Sequence, residues 1–283
     1  MVPARSDGLG LRDVLGFRDN VRRITRTLAS AILLAGLIAS VATSAALCRD
    51  GRGAPDRRHY PLRGIDVSHY QGTIDWAAVA RDDVAFAYVK ATEGVESRDS
   101  QFARNWRGAR RAGIRVGAYH YFIFCRSGRA QARNFLAVSP PHTSGLPPAV
   151  DLELGRSCPT PLTGRQMRRE LDAFLAVVEA REQKHAVLYV TPDFFARYRA
   201  YLPKRPMWRR SILSKPTPHG SWSFWQYHSR GRVAGIRTLV DLNVFSADGH
   251  ALALGTGRPG SSTRASSQGA WTAASASQPS EPL

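Results

Sequence analysis

Acidic residues are scarce in this chain of 283 residues. Only 22 residues are Asp or Glu, against 40 Lys or Arg, so the formal net charge is +18. A surface of this charge attracts anionic polymers, whether nucleic acid, acidic lipid or an anionic cell wall. The sequence has neither a zinc-finger spacing nor an RNA-binding aromatic signature, and its positive charge is spread over nearly every segment. We therefore interpret the charge as a solvated basic face and do not expect nucleic acid as the partner.

Several motifs that carry chemistry are also missing. The sequence has no serine-centred nucleophile elbow and no glycine-rich loop that would cradle a phosphate. His69 and His120 are not spaced with any cysteine as zinc ligands, and we interpret both as hydrogen-bonded structural or rim residues. We expect neither a metal ion nor an organic cofactor.

Cysteine is rare as well, with three in the whole chain. Cys125 follows one predicted strand and Cys158 follows the next, so their loops adjoin if the two strands are neighbours. We predict a disulfide between Cys125 and Cys158; the alternative is two unpaired thiols in short loops. Cys48 lies outside the predicted fold.

The chain has one long apolar run, at residues 28–47. The run carries no charge and follows an arginine-rich leader at residues 1–27, an arrangement that favours export with the amino end in the cytoplasm. Ser44–Ala46 offers a small-x-small site for signal peptidase, so one expectation is cleavage there. The other is an uncleaved inner-membrane anchor, because a spanning helix needs roughly 20 residues. Both place the rest of the chain in the periplasm or outside the cell.

Short β-rich runs alternate with helical stretches from residue 63 to residue 254, after a polar linker at residues 48–62. This alternation is typical of α/β proteins. The strand candidates, eight as in a barrel, are Gly64–Ser68, Val84–Ala91, Arg115–Phe122, Ala149–Leu154, Ala186–Val190, Trp208–Leu213, Ser223–His228 and Leu239–Phe245. The helix candidates are Gln101–Ala112, Arg129–Val138, Arg165–Lys184 and Pro192–Tyr201.

These elements predict a single α/β domain folded as an irregular TIM-like (β/α) barrel. We expect the irregularity near the end of the barrel, because almost nothing helical separates the last three strands. Residues 255–283 are rich in Ser, Gly, Ala and Pro and have few aliphatic residues, so we predict a disordered tail.

Two carboxylates alternate with aliphatic residues in the segment PPAVDLELG, residues 147–155. Alternate residues of a strand share a face, so Asp151 and Glu153 project to the same side, with Cα atoms roughly 6.5–7 Å apart. Like charges so placed raise each other's proton affinity, which allows one to stay protonated while the other is ionised. This is the condition for paired roles at a glycosidic bond. The alternatives are a metal site or a solvated strand end.

Two further strands repeat this alternation, in GIDVS around Asp66 and in LVDLNVF around Asp241. In a barrel, we expect the C-terminal mouth to hold Asp66, Asp151, Glu153 and Asp241 in one cavity, where barrel enzymes keep their active sites. Each single aspartate could also be a loop cap or a turn former. Four acids in one layer favour a functional site.

Aromatic residues accompany the acids near the same strand ends. Tyr119, Tyr121, Tyr189, Trp225 and Tyr227 offer flat walls with polar edges, which suit sugar rings that present C–H faces beside hydroxyls. Tyr119, Tyr189 and Trp225 could equally be packing residues.

The chain resembles, in order, the lysozymes of glycoside hydrolase family 25. The matching segments are GIDVSHYQG at 64–72, FAYVKATEG at 86–94, GAYHYF at 117–122, the acids of 149–154, WQY at 225–227 and the strand 240–245. The resemblance spans about residues 63–248 and implies an irregular α/β barrel. It implies cleavage of the β-1,4 bond between N-acetylmuramic acid and N-acetylglucosamine in peptidoglycan.

The resemblance also implies roles for individual residues. Glu153 would be the general acid and Asp151 its partner, which steadies an intermediate formed with the substrate's own acetamido group. Asp66 and Asp241 would shape and polarise the sugar site. We predict that Lys90, Tyr119, Tyr121, Tyr189, Gln226 and Tyr227 contact the substrate. We expect a monomer.

Two places depart from the family pattern, and both belong to the cleft rim. Ser97 stands where an aromatic residue or leucine is favoured, and the sixth strand candidate, in MWRRSIL at 207–213, lacks the usual small residue and acidic or aromatic ending. These departures bear on substrate detail. The alternative functions are a catalytically silent glycan-binding module that uses the same cleft and, last, a nucleic-acid binder driven by charge.

Overall fold

The structure is a computed structural model that describes residues 54–141, 145–155, 158, 162–217 and 222–246. The predicted leader at 1–27, the apolar run at 28–47 and the tail at 255–283 lie outside these residues. Cys48 lies outside them too. Within the described part, no helix has the length and apolar character needed to cross a bilayer.

Short strands and helices alternate through the described residues. The strands are β1 (Arg63–Val67), β2 (Val84–Glu93), β3 (Ser97–Arg98), β4 (Arg115–Tyr121), β5 (Ala149–Leu152), β6 (Val187–Val190), β7 (Met207–Arg210), β8 (Phe224–Gly231) and β9 (Val240–Phe245). The helices are α1 (Trp76–Arg81), α2 (Phe102–Arg111), α3 (Gly128–Val138), α4 (Gly164–Glu182) and α5 (Pro192–Tyr198). Single 3-10 turns lie at His69–Gln71 and Arg199–Tyr201.

The strands close into a barrel. Parallel pairing joins β1 to β2, β2 to β4, and then each strand from β4 to β8 to the next. The last strand, β9, runs antiparallel between β8 and β1 and closes the ring. The two-residue β3 pairs with the end of β2 as a hairpin and stays outside the ring. The predicted single-domain, irregular α/β barrel is confirmed.

The irregularity lies where the sequence predicts it, at the last strands. Only residues 232–239 connect β8 to β9. A parallel connection needs a dozen or more residues, so this short link forces β9 to return antiparallel. The sequence analysis did not predict this change of direction.

Aromatic side chains fill the inside of the barrel. Phe86 stacks on Phe245 with ring centroids 4.3 Å apart, and Tyr88 stacks on Trp208 at 4.8 Å. Phe86, Tyr88 and Phe224 are fully buried. These rings leave no channel at their level, so open space inside the barrel begins above Tyr88 and Trp208, toward the C-terminal ends of the strands.

The helices cover the outside of the barrel through apolar faces. In α4, Met167, Leu171 and Phe174 are buried at the i, i+4 and i+7 positions of one face. The helix begins at a capping box in which Thr163 and Gln166 satisfy each other's backbone N–H groups. Together these features hold α4 against the outside of the barrel, where Phe174 stacks on His120 of β4 with ring centroids 5.0 Å apart.

A disulfide ties two loops at the C-terminal end of the barrel. Cys125 follows β4 and Cys158 follows β5, and the structure joins them with a Cα–Cα distance of 5.6 Å. The bond fixes the chain five residues beyond Glu153. It therefore constrains the loop that follows the paired carboxylates.

Removing this disulfide is expected to destabilise the barrel. The two cysteines are 33 residues apart, and closing a loop of that length reduces the entropy of the unfolded chain by an amount that stabilises the fold by about 4 kcal/mol. The double variant Cys125→Ala/Cys158→Ala should lose up to this free energy of unfolding in urea titrations at neutral pH. A reductant should lower the stability of the parent protein to a similar value and leave the variant unchanged. Equal stability of the oxidised parent and the variant would contradict the prediction.

Candidate active site

A cavity of about 230 Å³ opens at the C-terminal mouth of the barrel. Its wall contains all four acids singled out from the sequence, together with most of the predicted sugar contacts. The lining residues are Asp66, Val67, Ser68, Tyr70, Gln71, Lys90, Tyr119, Tyr121, Asp151, Glu153, Tyr189, Trp208 and Asp241. Three separate strands thus deliver carboxylates to one space.

The end of β5 supplies Asp151 and Glu153. Val150 and Leu152 are fully buried against the helices, so the two acids between and after them point the other way, into the cavity. The Oδ1 atom of Asp151 is buried and has no hydrogen-bond partner among the described residues. A buried acceptor without a partner is costly to the fold, and a bound ligand that donates an N–H or O–H group would satisfy it.

Asp66 and Asp241 face each other across β1 and β9. They are directly opposite residues in the antiparallel pairing, and such side chains lie close together. The sequence analysis placed Asp241 with the C-terminal strand ends. The structure instead places it near the start of β9, and it reaches the same mouth because β9 runs in the reverse direction.

A chain of buried hydrogen bonds holds Asp66 in place. The Asn243 side chain donates to Asp66 Oδ2 at 2.8 Å, and the Trp208 indole donates to Asn243 Oδ1 at 2.9 Å. The Gln226 side chain also donates to Asp66 Oδ2, at 3.5 Å, and accepts from the Tyr189 hydroxyl at 2.7 Å. Every group in this chain has a fixed partner, so the carboxylate position is set by the barrel rather than by a loop.

Burial, and for Asp66 also the charge of Asp241, keeps the first pair of acids partly protonated. Burial raises the pKa of Asp66 well above its usual range, as do the negative charge and the hydrogen bond of Asp241. The pKa of Asp241 is raised to about 6, chiefly by burial and against the lowering effect of its hydrogen bond with Asp66. The pair therefore shares a proton at mildly acidic pH.

The second pair of acids is shifted in the same direction. Burial, followed by the charges of Glu153 and Asp66, raises the pKa of Asp151 well above its usual range. Burial also raises the pKa of Glu153, while the positive charge of Arg210 and a hydrogen bond with Tyr189 lower it. A carboxyl group with a raised pKa can hold its proton near neutral pH and give it to a leaving group.

Lys90 brings a positive charge to the cavity, already paired with an acid. Its Nζ atom donates to Glu93 Oε2 at 2.6 Å and lies 5.0 Å from the centre of the Tyr121 ring. Its charge lowers the pKa of both Asp151 and Glu153. The ion pair with Glu93 orients Lys90 and reduces the charge that it offers to the cavity acids.

Aromatic side chains form the rest of the wall. Tyr119, Tyr121 and Tyr189 line the cavity, as the sequence predicts, and Tyr121 and Tyr189 flank Asp151 across the sheet register. Tyr70 also lines it and is 74% exposed, and the sequence analysis missed this residue. Its position directly after the strand of Asp66 was the signal that could have identified it.

Two predicted substrate contacts lie elsewhere. Tyr227 points to the outer face of β8, where it contacts Trp225 with ring centroids 6.0 Å apart, because strand alternation turns it away from the inward-facing Gln226. Its prediction as a substrate contact is corrected. Gln226 is 2% exposed and lies beneath the cavity wall, where it holds Tyr189 instead of lining the cavity itself.

The arrangement suits proton transfer by carboxyl groups. Within the described ranges, no group of three or more His, Cys, Asp or Glu side chains could hold a metal ion. What the cavity does offer is two pairs of acids with raised pKa values beside aromatic walls. This combination can bind a sugar ring and protonate an oxygen that leaves it.

Comparisons with known proteins agree with this chemistry. Residues 65–236 match the model of the glycosyl hydrolases family 25. The lysozyme M1 of Streptomyces globisporus is 37% identical over 200 residues, which cover 65% of this chain and 68% of that protein.

Solved structures show the same likeness. A family 25 glycosyl hydrolase from Bacillus anthracis superposes with a TM-score of 0.66 at 33% identity, covering 72% of this chain and 97% of that one. The bacterial lysozyme from Streptomyces coelicolor superposes with a TM-score of 0.63 at 36% identity, covering 69% and 98%.

The variant Asp241→Asn is expected to unfold less readily than the parent at pH 7. The pKa of Asp241 is about 6 in the folded protein against 3.8 ordinarily, so the folded state binds more protons between these values, and the free energy of unfolding falls as pH rises through them. The amide has no such penalty. We expect the free energy of unfolding to rise by about 1–2 kcal/mol at pH 7 and not to rise below about pH 4. The expected gain is smaller than the full pKa shift implies, because the side chain keeps some contact with water.

Urea titrations at pH 7 and pH 4 measure this difference. Asp172→Asn, on the exposed face of α4, is the matched control and should change little at either pH. A loss of stability at pH 7 in Asp241→Asn would contradict the proposed cost of burying the charge of Asp241.

Proposed function

Because the chain belongs to glycosyl hydrolase family 25 and is a glycoside hydrolase, we propose that it is a lysozyme that cleaves the β-1,4 bond between N-acetylmuramic acid and N-acetylglucosamine in peptidoglycan. The observation that carries the proposal is the cavity with Asp151 and Glu153 side by side, both with raised pKa values. No metal or organic cofactor enters the proposed reaction.

In this proposal Glu153 is the general acid. Its carboxyl group protonates the oxygen of the leaving sugar as the glycosidic bond breaks. Burial raises the pKa of Glu153 and favours the protonated form that this step needs. The negative charge of Asp193 raises this pKa further.

Asp151 has a different role, which its unpaired oxygen supports. A buried Oδ1 atom without a partner is a ready acceptor for the N–H of an acetamido group on the substrate. We propose that Asp151 orients this group as its carbonyl oxygen attacks the sugar carbon, and then steadies the positive charge of the resulting ring. Water opens that intermediate, and Glu153, now ionised, takes a proton from the water.

Asp66 and Asp241 act on the sugar rather than on the bond. Asn243 holds Asp66 at 2.8 Å, so the carboxyl group is a fixed acceptor for sugar hydroxyls. The shared proton of the pair also gives it a donor. Tyr119, Tyr121 and Tyr189 supply the apolar walls against which the sugar faces pack.

The basic composition supports a site of action outside the cytoplasmic membrane. A formal charge of +18 favours adsorption to an anionic cell wall, which holds the enzyme near its polymeric substrate. We propose that the protein works in the periplasm or the extracellular space, whether released or held at the membrane by residues 28–47.

Glu153→Gln is expected to lower the rate of hydrolysis at least about 100-fold, since the amide cannot donate the proton. Turbidity loss and the release of new reducing ends from purified peptidoglycan measure the rate. The control is Glu96→Gln, which changes an exposed acid in the turn between β2 and β3 and should keep the parent rate. Equal clearing by parent and Glu153→Gln would remove this residue from the mechanism.

Asp151→Asn should also reduce hydrolysis, by about 100-fold, because an amide cannot stabilise the positive charge that develops beside it. Mass spectrometry of the released fragments checks both this rate and the bond cleaved. A protein that sediments with the wall but generates no reducing ends would be a silent glycan-binding module, and the proposed function would fail.

A further inference from the structure

Arg210 is the last residue of β7, and strand alternation directs it into the mouth of the barrel. Trp208, two residues earlier, lines the cavity, and residues two apart share a face of a strand. The intervening Arg209 points outward, with its guanidinium 3.6 Å from the centre of the Phe195 ring. Arg210 therefore lies above Trp208 on the inner face of β7, one step closer to solvent and at the rim, beyond the residues that line the cavity.

The charge of Arg210 acts on the working acids, yet the side chain has no fixed acidic partner. Among the described residues, no carboxylate lies within salt-bridge distance of it and no hydrogen bond holds it. It is partly buried, and its charge lowers the pKa of both Glu153 and Asp241. Lys90 on the opposite wall differs, since it is already paired with Glu93 at 2.6 Å.

A partly buried guanidinium on a cleft wall, free of a protein carboxylate, suits a carboxylate from a ligand. The planar group presents paired N–H donors that match both oxygens of a carboxylate. Muramic acid differs from glucosamine by a lactyl ether that ends in a carboxyl group. That group is either free or joined to a peptide whose residues carry carboxylates of their own.

We propose that Arg210 is a specificity residue that binds a substrate carboxylate on the muramic acid side of the cleaved bond. The inference rests on the proposed lysozyme function and names the feature by which this cleft would prefer a muramic acid polymer to an uncharged one. Arg210 follows the cavity-lining Trp208 on the same face of β7 and its charge acts on Glu153, so the guanidinium is near the sugar whose bond is broken.

The test compares three glycan substrates: the first two differ in the attached peptide, and the last two differ only in the charge of the lactyl carboxyl group. The first is intact peptidoglycan, the second is glycan strands freed of peptides by an amidase, and the third is the same strands with the lactyl carboxyl groups converted to methyl esters. The enzymes are the full-length parent, Arg210→Gln and Arg210→Lys. The control is Arg133→Gln, which removes an exposed charge from α3 on the outside of the barrel.

We expect Arg210→Gln to lower kcat/KM about 10- to 100-fold on substrates that carry the recognised carboxylate, mainly through KM, and less than about twofold on the esterified strands. Arg210→Lys should retain part of the activity, because it keeps the charge and loses the paired geometry. A loss on the peptide-free strands identifies the lactyl carboxylate as the ligand, whereas a loss confined to intact peptidoglycan identifies the peptide.

Two results would overturn the inference: an equal loss on all three substrates, which would mean that Arg210 acts only through the acidity of Glu153, or no loss on any. Calorimetric binding of the strands to Glu153→Gln, with and without Arg210→Gln, gives the same comparison without turnover. This binding measurement tests the role of Arg210 separately from the proposed lysozyme function. A parent enzyme that hydrolyses nothing refutes the lysozyme function, while carboxylate-dependent binding lost with Arg210 still supports the role of this residue.

Discussion

The repulsion among buried carboxylates at one end of the barrel governs the rest of the site. Asp66 and Asp241 are forced together by the register of β1 and β9, and Asp151 and Glu153 by their spacing on β5. Burial and like charge raise the pKa values of all four, so protons stay bound that an exposed surface would release. The barrel tolerates this energetic cost because apolar packing in the rest of the fold stabilises it. A protonated acid near neutral pH is what the proposed reaction requires.

The aromatic side chains inside the barrel determine where the buried acids lie. Tyr88 and Trp208 stack 4.8 Å apart inside the barrel, and Trp208 also lines the cavity that holds the acids. The same indole donates to Asn243, which in turn holds Asp66. One side chain thus forms the floor of the cavity and fixes an acid in its wall. Because each of these groups lies on a strand, the geometry of the site depends on the sheet more than on the surrounding loops.

Strand alternation explains both what the sequence could predict and where it failed. The D-x-E spacing at Asp151 and Glu153 predicted a shared face, and the structure has both in the cavity. The same rule, applied without knowing which face of β8 turned inward, assigned Tyr227 to the substrate although it points outward. The sequence analysis predicted the correct cavity for Asp241 but assumed that its strand runs parallel to the others. The strand β9 is antiparallel because its connection to β8 is short. Tyr70 follows a strand rather than belonging to one, so no periodicity marked it.

Arg210 shows how a single position can connect the electrostatics of the site with its selectivity. Four acids in one cavity repel an anionic substrate, and Lys90 offsets little of this because it is already paired with Glu93. A polymer of muramic acid carries carboxylates, so a cleft of acids alone would disfavour the substrate that it is proposed to cleave. A cation on the opposite wall resolves this conflict. It attracts a carboxylate of the substrate from a different strand than the one that leads to Glu153, and the pKa of Glu153 stays raised. The positive charge proposed to bind the substrate, on Arg210, and the proton proposed for catalysis, on Glu153, thus belong to different strands.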